Sequence, residues 1–335
     1  MHTTSRILEV LYDRPGQFVW LDELSALAGG QAPLWSAAEE LGRRGHRLER
    51  SAQGLRLLRP TVLDAHLAER LLPVRSLGRH VICFEQVGST NDVCFDAAAR
   101  SRGPARRESL VVTAEFQRAG RGRLGRKWSS PPGANLLASV LLDDPPDQPS
   151  PLNLEALTLA CGLAVAEGIE QAEGIRVELD WPNDVVLEGR KLAGVLVETR
   201  AVGRLRRVVV GFGVNVAVAP ADLPGRPAAC LADLLGRPTE RVELLRSILV
   251  AMDYWLWELR QGRAPELQAL RKEWLSRCGM HNRRIRAQCP SPGKTKTTQQ
   301  LTGRVVDVDP LVGLTLELDT GQRVTLSAAT SSIVH

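Results

Sequence analysis

The chain has 335 residues, 44% hydrophobic and 24% charged, the balance of a globular protein long enough for two or three domains rather than of a disordered or membrane-embedded one. No apolar run approaches the roughly 20 residues that span a bilayer, and Met1-His2-Thr3-Thr4-Ser5-Arg6 leads into an amphipathic stretch without a signal-type apolar core, so a cytoplasmic location without a membrane partner is expected. The net charge of +5, nearly all arginine, is too modest to single out nucleic acid, and the six cysteines lack CxxC pairing or a histidine at ligand spacing, which argues against a zinc site or disulfide framework.

Within residues 1–60, Ile7, Leu8, Val10 and Leu11 form one apolar face. Leu21, Leu24, Leu27 and Ala28 form a second that stops at Gly29-Gly30, and Leu34, Trp35, Ala38 and Leu41 form a third. Short strands at 46–49 and 55–58 flank the turn Ser51-Ala52-Gln53-Gly54. Three helices and a β-wing predict a winged helix-turn-helix domain over 1–60. Its third helix would enter DNA in the usual use of that module. Here residues 30–40 hold no lysine or arginine and end in Glu39-Glu40, and residues 1–60 carry eight arginines against seven acids. A phosphate-driven binder carries a basic stripe, so a structural or interaction module is expected instead.

A helical connector at 62–72 leads into the largest block, 61–280. Strands are expected at 81–84, 110–115, 135–142, 176–180, 185–188, 192–198 and 206–214, with helices near 90–101, 152–172, 240–260 and 264–275. That mixture predicts a central mixed sheet with helices packed on it, and an α+β multidomain chain. From 281 to 335 the pattern changes to short strands at 283–287, 301–307, 314–318 and 323–327, with a polar loop at 290–300, as in a small SH3-like β-barrel.

The chemistry concentrates in four segments. Gly120-Arg121-Gly122-Arg123-Leu124-Gly125-Arg126-Lys127-Trp128 packs cations between glycines, as a loop that holds an anion requires. It also matches GxGxxG, but the dinucleotide fingerprint needs a helix directly after the loop, and Ser129-Ser130-Pro131-Pro132-Gly133 is turn chemistry. Gly88-Ser89-Thr90-Asn91-Asp92 reads either as a helix cap or as hydroxyls and an amide for a small polar headgroup. In Asp180-Trp181-Pro182-Asn183-Asp184, followed by Gly189-Arg190-Lys191-Leu192-Ala193-Gly194, the spacing brings Asp184 and Lys191 either into a surface ion pair or to opposite sides of a phosphate, the acid holding Mg²⁺. In Gly211-Phe212-Gly213-Val214-Asn215 alternating glycines leave room for a flat ligand against a strand.

Taken together, Gln117 before the glycine-arginine loop, Trp-Pro-Asn-Asp at 181–184, Arg-Lys-Leu-Ala-Gly at 190–194 and Gly-Phe-Gly-Val-Asn at 211–215 resemble the biotin protein ligase family in its long bacterial form. The resemblance implies a catalytic domain like that of the class II synthetases. It implies activation of biotin by ATP to biotinyl-5′-AMP, with Mg²⁺, then transfer to a lysine of the biotin carboxyl carrier protein of acetyl-CoA carboxylase or a related carrier domain. By family match, Ser89, Thr90, Asn91, Gln117, Arg121 and Gly194 would serve biotin. Gly120, Gly122, Trp128, Asn183 and Asn215 would serve the nucleotide, and Arg121, Arg123 and Lys191 both substrates. Lys191, Arg123 and Asp184 would be the catalytic group, with Asp184 on Mg²⁺. The loop 120–128 would order only over ligand, since its cations repel one another. Some members also repress biotin synthesis genes, giving a bifunctional ligase and DNA-binding repressor as the alternative, and a homodimer through the central sheet. Lipoate ligases share the broad fold, but the glycine-arginine loop argues against them.

Departures from the family pattern are Leu124 and Asp180 where basic residues are common, the acidic third helix, and Ala328-Ala329-Thr330-Ser331 in place of a Gly-Glu turn. The first two lower the positive charge near the expected site.

Overall fold

A computed structural model describes residues 3–75, 77–100, 109–144, 152–202, 205–221, 226–291 and 297–334; residues 292–296 of the expected polar loop, and residue 101 of the first catalytic-block helix, lie outside them. The N-terminal part runs α1 (Thr3–Tyr12), β1 (Val19–Trp20), α2 (Leu21–Ala28), α3 (Gln31–Arg43), β2 (Leu48–Arg50) and β3 (Gly54–Leu57), with sheet order β1-β3-β2. The apolar faces read from the sequence share one core, in which Ile7, Leu8, Leu24, Leu34, Leu41 and Leu55 are fully buried. Burial of such side chains, about 1.5–3 kcal/mol each, holds short helices that are marginal alone. α2 stops where Gly29 turns left-handed, at φ 82°.

This part is fastened to the rest by polar contacts to one helix end. Glu240 accepts hydrogen bonds from Arg59 Nη1 and Thr61 Oγ1, both at 2.7 Å, and Glu243 accepts one from Tyr12 Oη at 2.9 Å. The connector helix is shorter than the sequence suggests. α4 covers Ala65–Glu69 with Asp64 as its cap, and ends because Arg70 turns extended, Leu71 takes φ 49° and Pro73 follows.

The central part contains β4 (Leu77–Val87), α5 (Thr90–Arg100), β5 (Ser109–Gln117), β6 (Leu136–Asp144), α6 (Leu154–Glu173), β7 (Glu178–Asp180), β8 (Asp184–Leu187), β9 (Arg190–Val202), β10 (Leu205–Val214), α7 (Leu231–Leu235), α8 (Arg241–Gln261) and α9 (Ala264–Arg277). Its seven-stranded sheet has the order β4-β5-β6-β10-β9-β8-β7; β4 and β5 are parallel and the other pairs antiparallel. The period of two along the strands sorts their side chains between the faces. Val111, Val140, Val208 and Val210 join the core that includes α6 and α8, whereas Val112, Leu141 and Val209 pack with Cys94, Phe95 and Ala98 of α5. Gly168 lets α8 approach α6 closely, since a Cβ there would meet the Ile248 backbone at 2.5 Å. α7 escapes sequence reading because five residues are too few to show a period.

The last part is antiparallel: β11 (Arg284–Pro290), β12 (Thr298–Asp309), β13 (Gly313–Leu318), β14 (Arg323–Leu326) and β15 (Ser332–Val334), ordered β14-β13-β12-β11-β15. β15, not expected from sequence, is three residues paired against Arg286, Ala287 and Gln288, and it brings the chain end to the central part. Among the described residues no helix is long and apolar enough to cross a membrane. All six cysteines are free thiols; five are buried and Cys83 is half-buried.

Candidate active site

A cavity of about 460 Å³ opens on the α5 side of the sheet, where β5, β6, β8, β9 and β10 meet the loop 120–128 and β15. Every residue singled out from the sequence for biotin or nucleotide lines it except Gly120. Gly120 closes the neck of the loop instead. Its carbonyl accepts from Trp128 N at 3.0 Å, and a Cβ would lie 2.4 Å from the Trp128 carbonyl oxygen.

One end of the cavity is a hydrogen-bond chain of hydroxyls and amides that ends on the Glu198 carboxylate. Thr90, at the start of α5, donates to Gln117 Oε1 through its backbone N at 2.7 Å and its hydroxyl at 3.0 Å. Ser139 of β6 donates its hydroxyl into this chain, 2.6 Å from Thr90 Oγ1 and 2.5 Å from Asn91 Oδ1; Asn91 Nδ2 then donates to Glu198 at 2.6 Å. The Thr90 hydroxyl is thus committed to this network and not to capping α5. A neutral network of amides and hydroxyls suits a small uncharged headgroup, because a buried polar group binds only what completes its hydrogen bonds.

The opposite end is charged. Asp184 and Lys191 face each other across the β8–β9 hairpin, with Nζ 2.7 Å from Oδ1 and 5.6 Å from the Trp128 ring centroid. The pair lies on the cavity wall rather than over an exposed hairpin. Asn183 is pinned by its Nδ2 donating to Val195 O at 2.6 Å, and Asn215 donates Nδ2 to Lys191 O at 3.3 Å. Asp180, 2% exposed, pairs in the β7–β8 ladder with Asp184 and forms an ion pair with Arg226, another cavity-lining residue. The charge expected to be lost through Asp180 is therefore matched by a guanidinium from elsewhere in the chain.

The loop 120–128 lies across the cavity, and its own hydrogen bonds shape it. Gly122 N donates to Arg126 O at 2.7 Å, and Leu124 sits at φ 55° in a tight turn. Protein groups answer its charges. Arg121 donates to Asp92 at 2.7 and 3.0 Å and to Glu198 at 3.0 Å. The hydrogen bonds from Arg121 hold the Asp92 carboxyl below its ordinary value, and Asp92 in turn raises the Arg121 guanidinium. Arg123 reaches instead to neutral acceptors: Asn183 Oδ1 at 3.1 Å, Ser331 O at 2.9 Å and the Ala328 carbonyl. Burial lowers its pKa and the Asp184 charge counters that. It is a half-buried cation whose hydrogen bonds go to neutral groups.

The strand glycines line the cavity and also make room for protein side chains: a Cβ on Gly211 would lie 2.3 Å from Asn91 Oδ1, and one on Gly213 would lie 2.4 Å from the Trp128 indole. Gly194 is tight as well, with Asp184 Oδ1 and Lys191 Nζ at 3.2 and 3.3 Å from such a Cβ, so those side chains would have to give.

Sequence reasoning missed Ser139, Glu198, Arg226 and the 328–331 carbonyls. Ser139 carried a signal, a lone hydroxyl inside the apolar run 136–142, which burial obliges to find a partner. Glu198 carried one too, as the only charge in 192–198. Arg226 and the carbonyls carried none. Among the described residues no cluster of three or more His, Cys, Asp or Glu side chains could hold a metal ion.

A family model described as the biotin/lipoate A/B protein ligase family matches residues 84–215. The bifunctional ligase/repressor BirA of Bacillus subtilis is 32% identical over 263 residues, covering 76% of this chain and 78% of its own. A biotin–[acetyl-CoA-carboxylase] ligase of Mycobacterium tuberculosis is 31% identical over 287 residues, 83% of this chain and 97% of the relative. Among solved structures, a biotin protein ligase from Aquifex aeolicus in complex with biotin and ATP superposes with a TM-score of 0.59 at 25% identity, covering 76% of this chain and 98% of that one.

Proposed function

From the premise that the chain belongs to the biotin protein ligase family, we propose that this cavity joins biotin to ATP and passes the biotinyl group to a lysine of a carrier domain. The observation that carries the residue assignment is the polarity of the cavity. Its neutral network at Thr90, Gln117, Ser139 and Asn91 suits the ureido ring, and the cations at the other end suit phosphate.

In the first step the biotin carboxylate attacks the α-phosphorus of ATP, and pyrophosphate leaves with the electron pair of the broken P–O bond. No side-chain nucleophile is required; the protein has to align the reactants and compensate developing charge. Lys191 serves the carboxylate and α-phosphate oxygens, and Arg123 holds the adenylate under the loop. Arg121, paired with Asp92 and Glu198, acts by anchoring the loop. In the second step the carrier amine attacks the acyl carbon and AMP departs. Asn183 and Asn215 line the nucleotide side, and Trp128 walls it.

Mg²⁺ suits this donor set only as an ion carried by the ATP phosphates, because Asp184 is the single carboxylate proposed for it and Lys191 already faces one of its oxygens. It would neutralise phosphate charge there. The N-terminal part is read as a winged helix-turn-helix unit for interaction rather than DNA binding, since α3 carries no cation before Arg43 and its Trp35 ring is covered by Arg50. The C-terminal sheet is read as an SH3-like unit that closes the site.

The test is exchange of labelled pyrophosphate into ATP by the purified chain, with and without biotin, together with the intact mass of a carrier domain after incubation with biotin and ATP. Biotin-dependent exchange and addition of one biotinyl group are expected. Exchange without biotin, or none, overturns the reading.

A further inference from the structure

We infer that Asn135 is a positioning residue for the nucleotide end of the cavity: it fixes the turn 216–218 and, through that turn, the carboxamide of Asn215. The inference rests on the proposed ligase reaction and gives a part in it to a residue outside the four motif segments and outside the cavity lining.

Asn135 stands just before β6, and its side chain, 1% exposed, grips the chain that leaves β10. Its Oδ1 accepts from the backbone N of Val216 at 2.9 Å and from those of Ala217 and Val218 at 3.3 Å, and its Nδ2 donates to Val218 O at 2.9 Å. Three successive N–H groups turned onto one oxygen make a tight backbone turn wrapped round an acceptor. The turn begins where the β6–β10 ladder ends, since the last pair of that ladder is Leu136 with Val214. Asn135 thus takes over from the ladder as the chain leaves the sheet. It is itself held, because its carbonyl accepts from Arg241 Nη1 at 3.3 Å and Arg241 is fixed by Glu115 at 2.6 and 3.1 Å.

Asn215 lies between the ladder and this turn, so the turn sets its backbone. Asn215 N donates to Leu192 O at 2.9 Å, its carbonyl accepts from Leu231 N at 3.0 Å, and its Nδ2 donates to Lys191 O at 3.3 Å. Its Oδ1 is buried and has no hydrogen-bond partner among the described residues, although Asn215 lines the cavity. A buried acceptor without a partner is costly, and an N–H or O–H donor of a bound nucleotide would complete it. With Nδ2 given to Lys191 O, the carboxamide keeps its oxygen for the ligand only while the backbone at 215–216 stays in place. A shift of that backbone would misdirect the oxygen and loosen the amide from Lys191 O. The biotin end is built instead on Thr90, Gln117, Ser139 and Asn91, whose hydrogen bonds run to one another and to Glu198, so a fault at Asn135 should tell on the nucleotide alone.

The test is the split between the two substrates in biotin-dependent pyrophosphate exchange. In Asn135→Ala, which removes all four side-chain hydrogen bonds, the KM for ATP should rise about tenfold while the KM for biotin stays within about twofold. Asn135→Asp keeps an oxygen for the three N–H groups and loses only the bond from Nδ2, so most of the loss should be recovered. Asn215→Ala should raise the KM for ATP similarly, and the double variant should be little worse than either single one, because the two residues act in series. If Asn135→Ala does not fold, Asn135→Gln, which keeps both polar atoms but moves them by one methylene, reads the same split. Equal rises in both KM values, an unchanged KM for ATP, no recovery in Asn135→Asp, or effects of Asn135 and Asn215 that multiply would make Asn135 a purely structural residue and overturn the inference. If the unaltered chain shows no biotin-dependent exchange, it is the ligase reading that fails.

Discussion

Lys191 Nζ stands 2.7 Å from Asp184 Oδ1 on the cavity wall, so the cation proposed to meet the α-phosphate is held by the one carboxylate proposed to meet the metal. Removing the amine therefore does two things: it deletes a donor and leaves a negative charge facing the nucleotide. Lys191→Met should slow single-turnover formation of biotinyl-5′-adenylate about 10²–10³-fold, the range for loss of a preorganised donor at developing charge. Adding Asp184→Asn should cost less than the product of the single effects, since the second change removes the exposed repulsion. Adenylate formation by Lys191→Met within about twofold of the unaltered rate would exclude Lys191 from the chemistry.

Arg123 links the loop 120–128 to the C-terminal part through Ser331 O and the Ala328 carbonyl, and to Asn183 in the central part. Arg123→Ala releases all three, so the intermediate should escape faster than it is made into product. Synthesis of the adenylate would persist while its dissociation rate rises about tenfold or more, as the loss of hydrogen bonds made by a charged donor implies. The readout is free adenylate in a quench experiment without carrier. Retention equal to the unaltered chain would show that the clasp does not hold the loop shut.

The parts legible in the sequence were those set by periodicity and by clustered chemistry. Val111 and Val208 announced strands through β-branched runs, and Asp184 and Lys191 announced a hairpin pair through their spacing. What stayed hidden depends on contacts distant along the chain. Asp180 looked like a lost positive charge because nothing near it in sequence indicates Arg226, 46 positions on. Gly211 and Gly213 line the cavity, and only the folded chain shows that Asn91 and Trp128 also press against them. β15 escaped because three residues carry too little pattern to compete with the turn before them.

Gly211 lies beneath the Asn91 amide, and a methyl group there would sit 2.3 Å from Asn91 Oδ1. Asn91 cannot move without breaking its hydrogen bonds to Ser139 and Glu198. Gly211→Ala should therefore raise the KM for biotin more than that for ATP, and lower stability by about 1–3 kcal/mol through overpacking. Kinetics in each substrate and denaturant unfolding would measure both. Equal increases in the two KM values would break the assignment of this end of the cavity to biotin.

Asp64 gives the clearest pH dependence. Burial alone would push its carboxyl up, but the hydrogen bond from His46 and the charges of Arg44 and His46 hold it at about 2, below the ordinary 3.8. Because the folded value is depressed, the stabilisation is complete above about pH 4 and is lost as pH falls toward 2; at neutral pH it amounts to about 2 kcal/mol, one unit of pKa being worth about 1.4. Asp64→Asn keeps a side chain able to cap α4, where Asp64 Oδ1 accepts from Leu67 N at 3.2 Å, and so isolates the charge. The variant should unfold at lower denaturant than the unaltered chain at pH 7, with the difference shrinking steadily from pH 4 to 2.5. A difference that stays constant across that range would assign the effect to packing rather than to the carboxylate.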